Sequence, residues 1–597
     1  MKRIVPAAAA AAAVLVAGWT LLHRGSRPPG VLLISIDTLR QDHVSAYGYD
    51  RPTTPTLDHL AVEGALFESA WSPSSWTLPA HVSALTGLSP SAHQVEGERD
   101  RLAEEVLTLA QTLARAGYAT AGFTSHVYLD EKYGFSRGFD EYVTRPVQIA
   151  EEVSDQAIAW LEAHDRGTFF LFLHYFDPHA DYAPPEDYAR VFDSDPAERS
   201  FGEWGFLRQF EDPDTPLPED VARRIAALYD GEILYTDAHI ARVIETLRRQ
   251  RRLDDTIVAV FSDHGEEFKE HASFGHGDTL YAEVTRIPLI LRYPPRIPSG
   301  TRVRALASLT DLPGLIAFLA GLAWDDPDAR GASAPTPLLE EVVGRGGPPI
   351  ERRLILETTR EGPKRFATLN GRYSYIWPAS YARLLVTGTA SHGPVRDWIP
   401  VPEALFRMDE DPGQTVNLLD AGGSGASGET VAAADTERAA VLRYLQEHVR
   451  GLRFVCGSAD GRPTRFDGTV QFEAAVSDEP FGYNLGPGDE LVPLSGAMGL
   501  RSRRYGVQLE TGASEKGIVF PRPEGVTRAH VALLRDGAGL FDGVTPLPQP
   551  GQTVFLGDAA DGGCRLEGGV APLELHREEV SLSEEQIERL KSLGYVE

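Results

Sequence analysis

Apolar positions along this chain fall into two alternating rhythms. Runs that are apolar at consecutive positions occur at residues 31–36 (VLLISI), 169–175 (FFLFLHY) and 256–261 (TIVAVF). Strands buried on both faces read this way, whereas strands with one wet face alternate. Shorter strand-like runs lie at 118–123 and 287–292. Between them, apolar spacing of three and four residues predicts helices at 58–64, 106–117, 149–164, 221–249 and 311–322. Strand and helix alternate from 31 to 322, which predicts an α/β fold: a doubly wound, mostly parallel sheet with helices on both faces.

The rhythm changes near residue 354. Residues 365–377 read as a hairpin turning through Asn370-Gly371, residues 421–434 as a loose Gly/Ala/Ser-rich insertion, and residues 436–449 as a helix. From 452 to 576 short β-like runs alternate with Gly and Pro and no long helical period recurs, as in a β-rich domain. A last helix is expected at 583–593, with Ser583 as its N-cap and Gly594 as its stop. The expected domains are therefore 31–345 (the α/β domain), 350–450 (a smaller α+β subdomain), 452–576 (β-rich accessory) and 577–597 (C-terminal helix).

Residues 1–27 stand apart. Lys2 and Arg3 precede an apolar run of roughly 19 residues, long enough to span a bilayer, with His23, Arg24 and Arg27 behind it. This segment predicts export, as a cleaved signal peptide or as a membrane anchor, and so a periplasmic, extracellular or membrane-attached protein. Composition adds one exclusion. A formal net charge of −29 argues against nucleic acid as a partner, because phosphate backbones demand a basic surface. Cys456 and Cys564 are the only cysteines. In an exported chain they form either one disulfide closing a long loop or two buried thiols.

The chemistry gathers where the buried runs end. Asp37, Asp177 and Asp263 each follow one of them, with His179 and His264 close behind. Ligands of open α/β sheets bind at the C-terminal strand ends. Thr77 precedes Leu78-Pro79 at a predicted helix start, where free backbone N–H groups favour an anion. Carboxylates with imidazoles suit Mn²⁺, Mg²⁺, Ca²⁺ or Zn²⁺, and a cation beside a hydroxyl makes it a usable nucleophile. Glu266, Glu267 and Glu270 are expected on a solvated face, and His43, His93, His126 and His271 in structural or rim positions.

Six blocks in order resemble the sulfatase branch of the alkaline phosphatase superfamily: ISIDTLRQDHVSAYGY (34–49), SWTLPAHVSALTG (75–87), HYFDPHADY (174–182), YDGEILYTDAHI (229–240), FSDHGEEF with GHGDTLY (261–281), and the terminal LKSLGYVE (590–597). The resemblance implies a hydrolase of sulfate- or phosphate-type esters. It implies that Asp37, Asp263 and His264 are metal ligands joined by Thr77, and that His179 and His276 contact the anionic group of the substrate. His81 stands where the family's motif has arginine, and Pro79 matches its proline. Asp177, His179 and His276 complete a second metal site if the chemistry is that of two-metal phosphodiesterases.

Three departures bear on mechanism. Thr77 occupies the position of the cysteine or serine that sulfatases convert to formylglycine, and a secondary alcohol cannot yield that aldehyde, so no formylglycine is expected. Thr38 replaces the second aspartate of the usual pair, and Gly122-Phe-Thr-Ser-His126 replaces a Gly-Lys-Trp-His element. A threonine nucleophile is similar to that of nucleotide pyrophosphatase/phosphodiesterases and lipoteichoic acid synthases, and it favours phosphomonoester or phosphodiester chemistry. The implied substrates are sulfated or phosphorylated small molecules, glycans or lipids. The alternatives are an envelope phosphoglycerol- or phosphoethanolamine-type transferase and a catalytically silent envelope-binding protein.

Overall fold

The structure, a computed structural model, describes residues 28–193, 200–212, 214–324, 336–346, 352–358, 360, 364–377, 403–419 and 427–448. Beyond these it describes residues 452–457, 464–472, 481–483, 490–495, 504–511, 516–520, 528–548, 553–556, 564–568 and 580. The N-terminal apolar segment and the expected helix at 583–593 lie outside the described residues. Among those described, no helix is long and apolar enough to cross a membrane.

An eight-stranded sheet organises the described residues from 28 to 322. Its order is Thr301–Val303, Ala65–Phe67, Leu289–Arg292, Thr256–Ser262, Gly30–Ile36, Phe169–Tyr175, Ala119–Thr124 and Glu141–Thr144. Pairing is parallel except on the two sides of Leu289–Arg292, where it is antiparallel. The three apolar runs are the adjacent central strands. Their register sets Ser35 opposite both His174 and Phe261, so Asp37 and Asp263 emerge side by side.

The consecutive apolar residues find a core on each face. Val31, Leu33, Phe170, Phe172, Ile257 and Ala259 point to one, shared with helices Thr77–Thr86 and Leu312–Ala320. Leu32, Ile34, Leu171, Leu173, Val258 and Val260 point to the other, shared with Pro55–Glu63, Ala150–Ala163 and the 31-residue helix Glu219–Arg249. At about 25 cal/mol per Å² of apolar surface removed from water, this double burial is the main force holding the sheet.

The subdomain that follows is a four-stranded antiparallel sheet, Leu354–Thr358, Arg365–Leu369, Tyr373–Trp377 and Ala404–Arg407. Helix Gly428–His448 packs on it through Ala434 and Val441. That helix starts within the stretch expected to be a loose insertion, because Glu429 and Ala432–Ala434 are good helix formers and its inner face meets an apolar sheet. Glu437 anchors it, accepting from Arg353, Thr368 Oγ1 and Asn370 Nδ2.

The C-terminal domain is a pair of five-stranded antiparallel sheets. Phe454, Ile518 and Leu566 from one sheet share a core with Phe466, Val470, Leu509 and Val531 from the other, as in a sandwich. Cys456 and Cys564 are cross-strand partners and are disulfide-bonded across 108 residues of sequence. A crosslink closing so long a loop is worth about 2–4 kcal/mol. Reduction is therefore expected to destabilise the sandwich by that amount, moving its melting transition to lower temperature, and to leave the transition of the catalytic domain in place. Calorimetry with and without dithiothreitol measures this, and a reductant-insensitive trace would contradict it.

Candidate active site

Asp37, Asp263, His264 and Thr77 meet at the C-terminal edge of the central strands, all buried. One ligand atom each from Asp37, Asp263 and His264 lies within 4.8 Å of the other two. His264 Nε2 is 3.6 Å from Asp37 Oδ1, 3.3 Å from Asp263 Oδ2 and 3.3 Å from Thr77 Oγ1. The other ring nitrogen, Nδ1, lies 3.0 Å from Gly265 O. A carbonyl only accepts, so Nδ1 carries the proton and Nε2 turns a lone pair to the carboxylates.

Local sequence explains why these side chains converge. Ser262 Oγ lies 2.8 Å from Ile36 O and 2.6 Å from His264 O, and accepts from Leu39 N at 2.9 Å, joining the ends of two strands. Tyr229 OH donates to Thr38 O at 2.6 Å and accepts from Arg40 N at 2.9 Å, fixing the turn after Asp37. Thr38 sits there at φ 52°, an unfavourable conformation for a β-branched residue that only a fixed surround sustains. Gly265 is required by packing, since a Cβ there would lie 2.0 Å from Glu283 O. Thr77 opens helix Thr77–Thr86, with Pro79 in its first turn.

The electrostatics are those of a cation site. Asp37 Oδ1 and Oδ2 and Asp263 Oδ2 are buried with no hydrogen-bond partner. Burial, and then the charge of Glu266, pushes the Asp37 carboxyl well above the usual carboxylate range. Burial, and then Asp37, does the same to Asp263. Burial, followed by the neighbouring His276, holds His264 well below the ordinary imidazole value. Neutral imidazoles facing carboxylates that are costly to ionise unaided fit a divalent cation, which favours both the carboxylates and the lone pair.

His179 and His276 line the same space, their ring centroids 5.1 Å apart, and the His276 ring lies 4.4 Å from that of His264. His179 Nδ1 lies 2.8 Å from Ala180 O. His276 Nδ1 lies 2.9 Å from Glu266 Oε1, and Tyr182 OH donates to Glu266 Oε2 at 3.0 Å. The expected solvated face is thereby corrected. Glu266 and Glu267 are each 1% exposed, and only Glu270 reaches solvent, paired with Arg40.

His81 lies beneath the site. Its Nδ1 is 2.9 Å from Thr77 O and 3.4 Å from Asp263 Oδ2, and its Nε2 is 2.9 Å from Ser35 Oγ. Both nitrogens are engaged, so His81 braces the first turn of the helix against the sheet. Asp177 is a correction. Its Oδ2 accepts from Ala150 N at 2.7 Å at the N-terminus of helix Ala150–Ala163, and among the described residues Asp177, His179 and His276 do not form a close group of ligand atoms as Asp37, Asp263 and His264 do.

Two histidines carry more than was expected of them. His174 Nε2 lies 3.3 Å from Asp37 Oδ2. Ser125 Oγ donates to His174 O, so His174 Nδ1 donates to Ser125 Oγ and its Nε2 lone pair also faces Asp37. His126 accepts from Tyr128 N at Nδ1, and its Nε2 is 3.9 Å from Asp37 Oδ2, within the site rather than on its rim. The signal for His174 was a polar residue inside an otherwise apolar strand. Arg360 was also missed. It donates to His276 O at 3.1 Å and brings positive charge to the wall.

The fold and site define an α/β ester hydrolase. Residues 29–322 match the Sulfatase family model. Iduronate 2-sulfatase of Mus musculus is 25% identical over 422 residues, covering 56% of this chain and 75% of that protein. The arylsulfatase of Clostridium perfringens is 24% identical over 379 residues, covering 52% and 79%. The solved phosphonate monoester hydrolase of Silicibacter pomeroyi superposes with a TM-score of 0.55 at 20% identity, covering 70% of this chain and 95% of that one. Residues 29–322 belong to the sulfatase family of the alkaline phosphatase superfamily, and the protein is a hydrolase of sulfate- or phosphate-type esters.

Because Asp177 caps a helix, Asp177→Ala is expected to destabilise the protein by about 1 kcal/mol without changing the bound divalent-cation stoichiometry. Denaturant unfolding and metal analysis of the same sample test both halves. Loss of one equivalent of cation would restore Asp177 as a ligand.

Proposed function

We propose that the protein is a metal-dependent ester hydrolase whose nucleophile is the Thr77 hydroxyl, acting on phosphomonoesters or phosphodiesters rather than by formylglycine chemistry. The observation that carries this reading is Thr77 Oγ1 itself, 3.3 Å from His264 Nε2 at the start of a buried helix. A divalent cation held by Asp37, Asp263 and His264 supplies positive charge that lowers the hydroxyl pKa and steadies charge on the transferred group.

Thr77 Oγ1 forms a bond to phosphorus in line with the ester oxygen, whose bond to phosphorus breaks. The hydroxyl proton ends on the departing alcohol. Water then splits the phosphothreonine, and Thr77 regains its proton. His276, its Nδ1 against Glu266, and His179, its Nδ1 against Ala180 O, turn Nε2 to the site and, once that nitrogen has taken up the threonine proton, hold a non-bridging oxygen or pass the proton to the leaving group. Arg360 adds a positive wall for the anion. His81 and Ser35 keep the helix start in place.

The names of the relatives support a substrate that is a sulfated or phosphorylated small molecule or glycan. A lipid comes within reach if residues 1–27 anchor the chain. That segment supports export to the periplasm or the cell exterior.

The test is hydrolysis of aryl phosphate, aryl phosphodiester and aryl sulfate by the full chain, with Mn²⁺, Ca²⁺, Mg²⁺ or Zn²⁺ and after chelation. Cleavage of a phosphorus ester is expected, lost on chelation and in Thr77→Ala, and partly kept in Thr77→Ser. Sulfate cleavage surviving in Thr77→Ala would defeat the nucleophile assignment. His276→Ala is expected to slow esters of poorly leaving alcohols by about 10²–10⁴-fold and activated aryl esters far less. An equal effect on both would exclude leaving-group protonation.

A further inference from the structure

A second group of ligand-type side chains lies beyond the catalytic edge. One atom each of Glu267, His271 and Glu283 falls within 4.8 Å of the other two. Glu267 is 1% exposed and Glu283 8%. Glu267 Oε2 accepts from Thr279 Oγ1, whereas Oε1 is buried with no hydrogen-bond partner. An acceptor stranded in this way costs about 1–3 kcal/mol, and more when charged.

The imidazole sharpens the case. His271 Nε2 lies 2.9 Å from Gln414 O and so carries a proton. Nδ1 abuts Glu283 Oε1. Burial works against a charged ring, but the hydrogen bond and charge of Glu283 raise the His271 imidazole above its ordinary range, so positive charge is favoured at Nδ1, and a cation there would take the place of the second proton.

Arg40 and Lys269 feel the charges of Glu283 and Glu267 but give their hydrogen bonds to other groups. Arg40 pairs with Asp42 at 2.8 Å and Glu270 at 2.6 Å and donates to Glu266 O, while Lys269 Nζ donates to Asp212 O and Ala272 O. Burial, followed by the charge of Glu283, raises the Glu267 carboxyl well above its ordinary range, and Glu270 and Asp278 add to the same effect.

We propose that Glu267, Glu283 and His271 Nδ1 form a second divalent-cation site, for a transition metal of the Mn²⁺ or Zn²⁺ class. Two carboxylates with one imidazole match that class better than the all-oxygen shells of Ca²⁺ or Mg²⁺. The site is built into the loop that carries the catalytic side chains. Gly265 N donates to Val284 O at 2.6 Å and Glu266 N to Glu283 O at 3.1 Å, and Glu267 pairs with Gly275 next to His276. Gln414 lies in the following subdomain and closes the far side by accepting from His271 and, through Oε1, from Ala282 N. A cation there clamps the His264–His276 loop to its own return strand. Its role is positioning.

The experiment is equilibrium dialysis of the full chain against Mn²⁺ alone, read as equivalents bound, with near-UV circular dichroism as the check on folding. The full chain is expected to bind two equivalents, Asp263→Ala one, Glu283→Gln one, and the double variant none. Glu267→Gln, which keeps an oxygen opposite Thr279, is expected to match Glu283→Gln and stands in for it should that variant misfold. A single equivalent abolished by Asp263→Ala would overturn the proposal, as would a second equivalent kept by both glutamate variants. The readout requires no turnover, so it stands whether or not Thr77 proves to be the nucleophile.

Discussion

Two buried carboxylates on neighbouring strand ends are the constraint around which this protein is arranged. Asp37 and Asp263 are both 0% exposed, and three of their four oxygens have no hydrogen-bond partner. The effective penalty of burying a charge is several kcal/mol, a large part of the net stability of an ordinary domain. Removing either carboxylate would relieve that burden, and the fold instead invests in holding them. Ser262 ties the two strand ends, Tyr229 pins the turn after Asp37, and Thr38 is kept at a positive φ with its N–H directed to Asp263 Oδ1. Strain and desolvation concentrated at one point mark where the sheet does its chemistry.

The rest of the chain can be understood as what keeps that point rigid and walled. Strand Leu354–Thr358 lies directly on the catalytic loops. Glu357 N donates to Pro73 O, Ser75 Oγ to Thr358 Oγ1, and Thr358 Oγ1 to Gly277 O. Burial works against ionising Glu357, but the Lys364 ammonium at 2.6 Å, with Ser91 and Tyr444, holds its carboxyl below the usual range. This network fastens the subdomain to the short helix Pro90–His93, one connection beyond the helix that carries Thr77. The same subdomain contributes Arg360 to the wall and Gln414 to the Glu267 cluster. The subdomain is therefore part of the active site, although its own sheet carries none of the proposed ligands.

Much of this was legible in the sequence. Runs of consecutive apolar residues identified the three central strands, because only a sheet covered on both faces has use for them, and the acidic residue after each run marked the catalytic edge. Asp37, Asp263 and His264 were placed there in that way, and Thr77 by the proline in the first turn of its helix. Asp177 follows the same pattern but turns its carboxylate onto the N-terminus of a helix, and nothing in a linear pattern distinguishes a cap from a ligand. His174 was hidden by the opposite effect, a functional residue counted as part of the strand that carries it. Glu266 and Glu267 look like solvated charges in one dimension. They are buried because strand Glu267–Phe268 folds back on Phe274–Gly275 and the whole loop lies under Tyr182 and Gln414, contacts that join residues far apart in the chain.

The replacement of acidic by neutral residues at the catalytic edge bears on which ester the site suits. Asp37 and Asp263 together carry two negative charges, which one divalent cation balances. Thr38 supplies a buried hydroxyl where the family's motif has a further carboxylate, and Thr77 supplies another in place of an aldehyde hydrate. His81, His174, His179 and His264 are all held below the ordinary imidazole range, chiefly by burial, and so remain neutral. With one cation bound, the two carboxylates nearest Thr77 are balanced, Glu266 lies behind His276, and Arg360 brings positive charge to the wall. A phosphomonoester, with roughly −1.5 to −2 charge at neutral pH as in phosphorylated side chains, gains more from such a centre than from one with a third carboxylate. Sulfate esters and phosphodiesters carry a single charge and gain less. If Thr77 is the nucleophile, a site without that further carboxylate is the more tolerant of a doubly charged group.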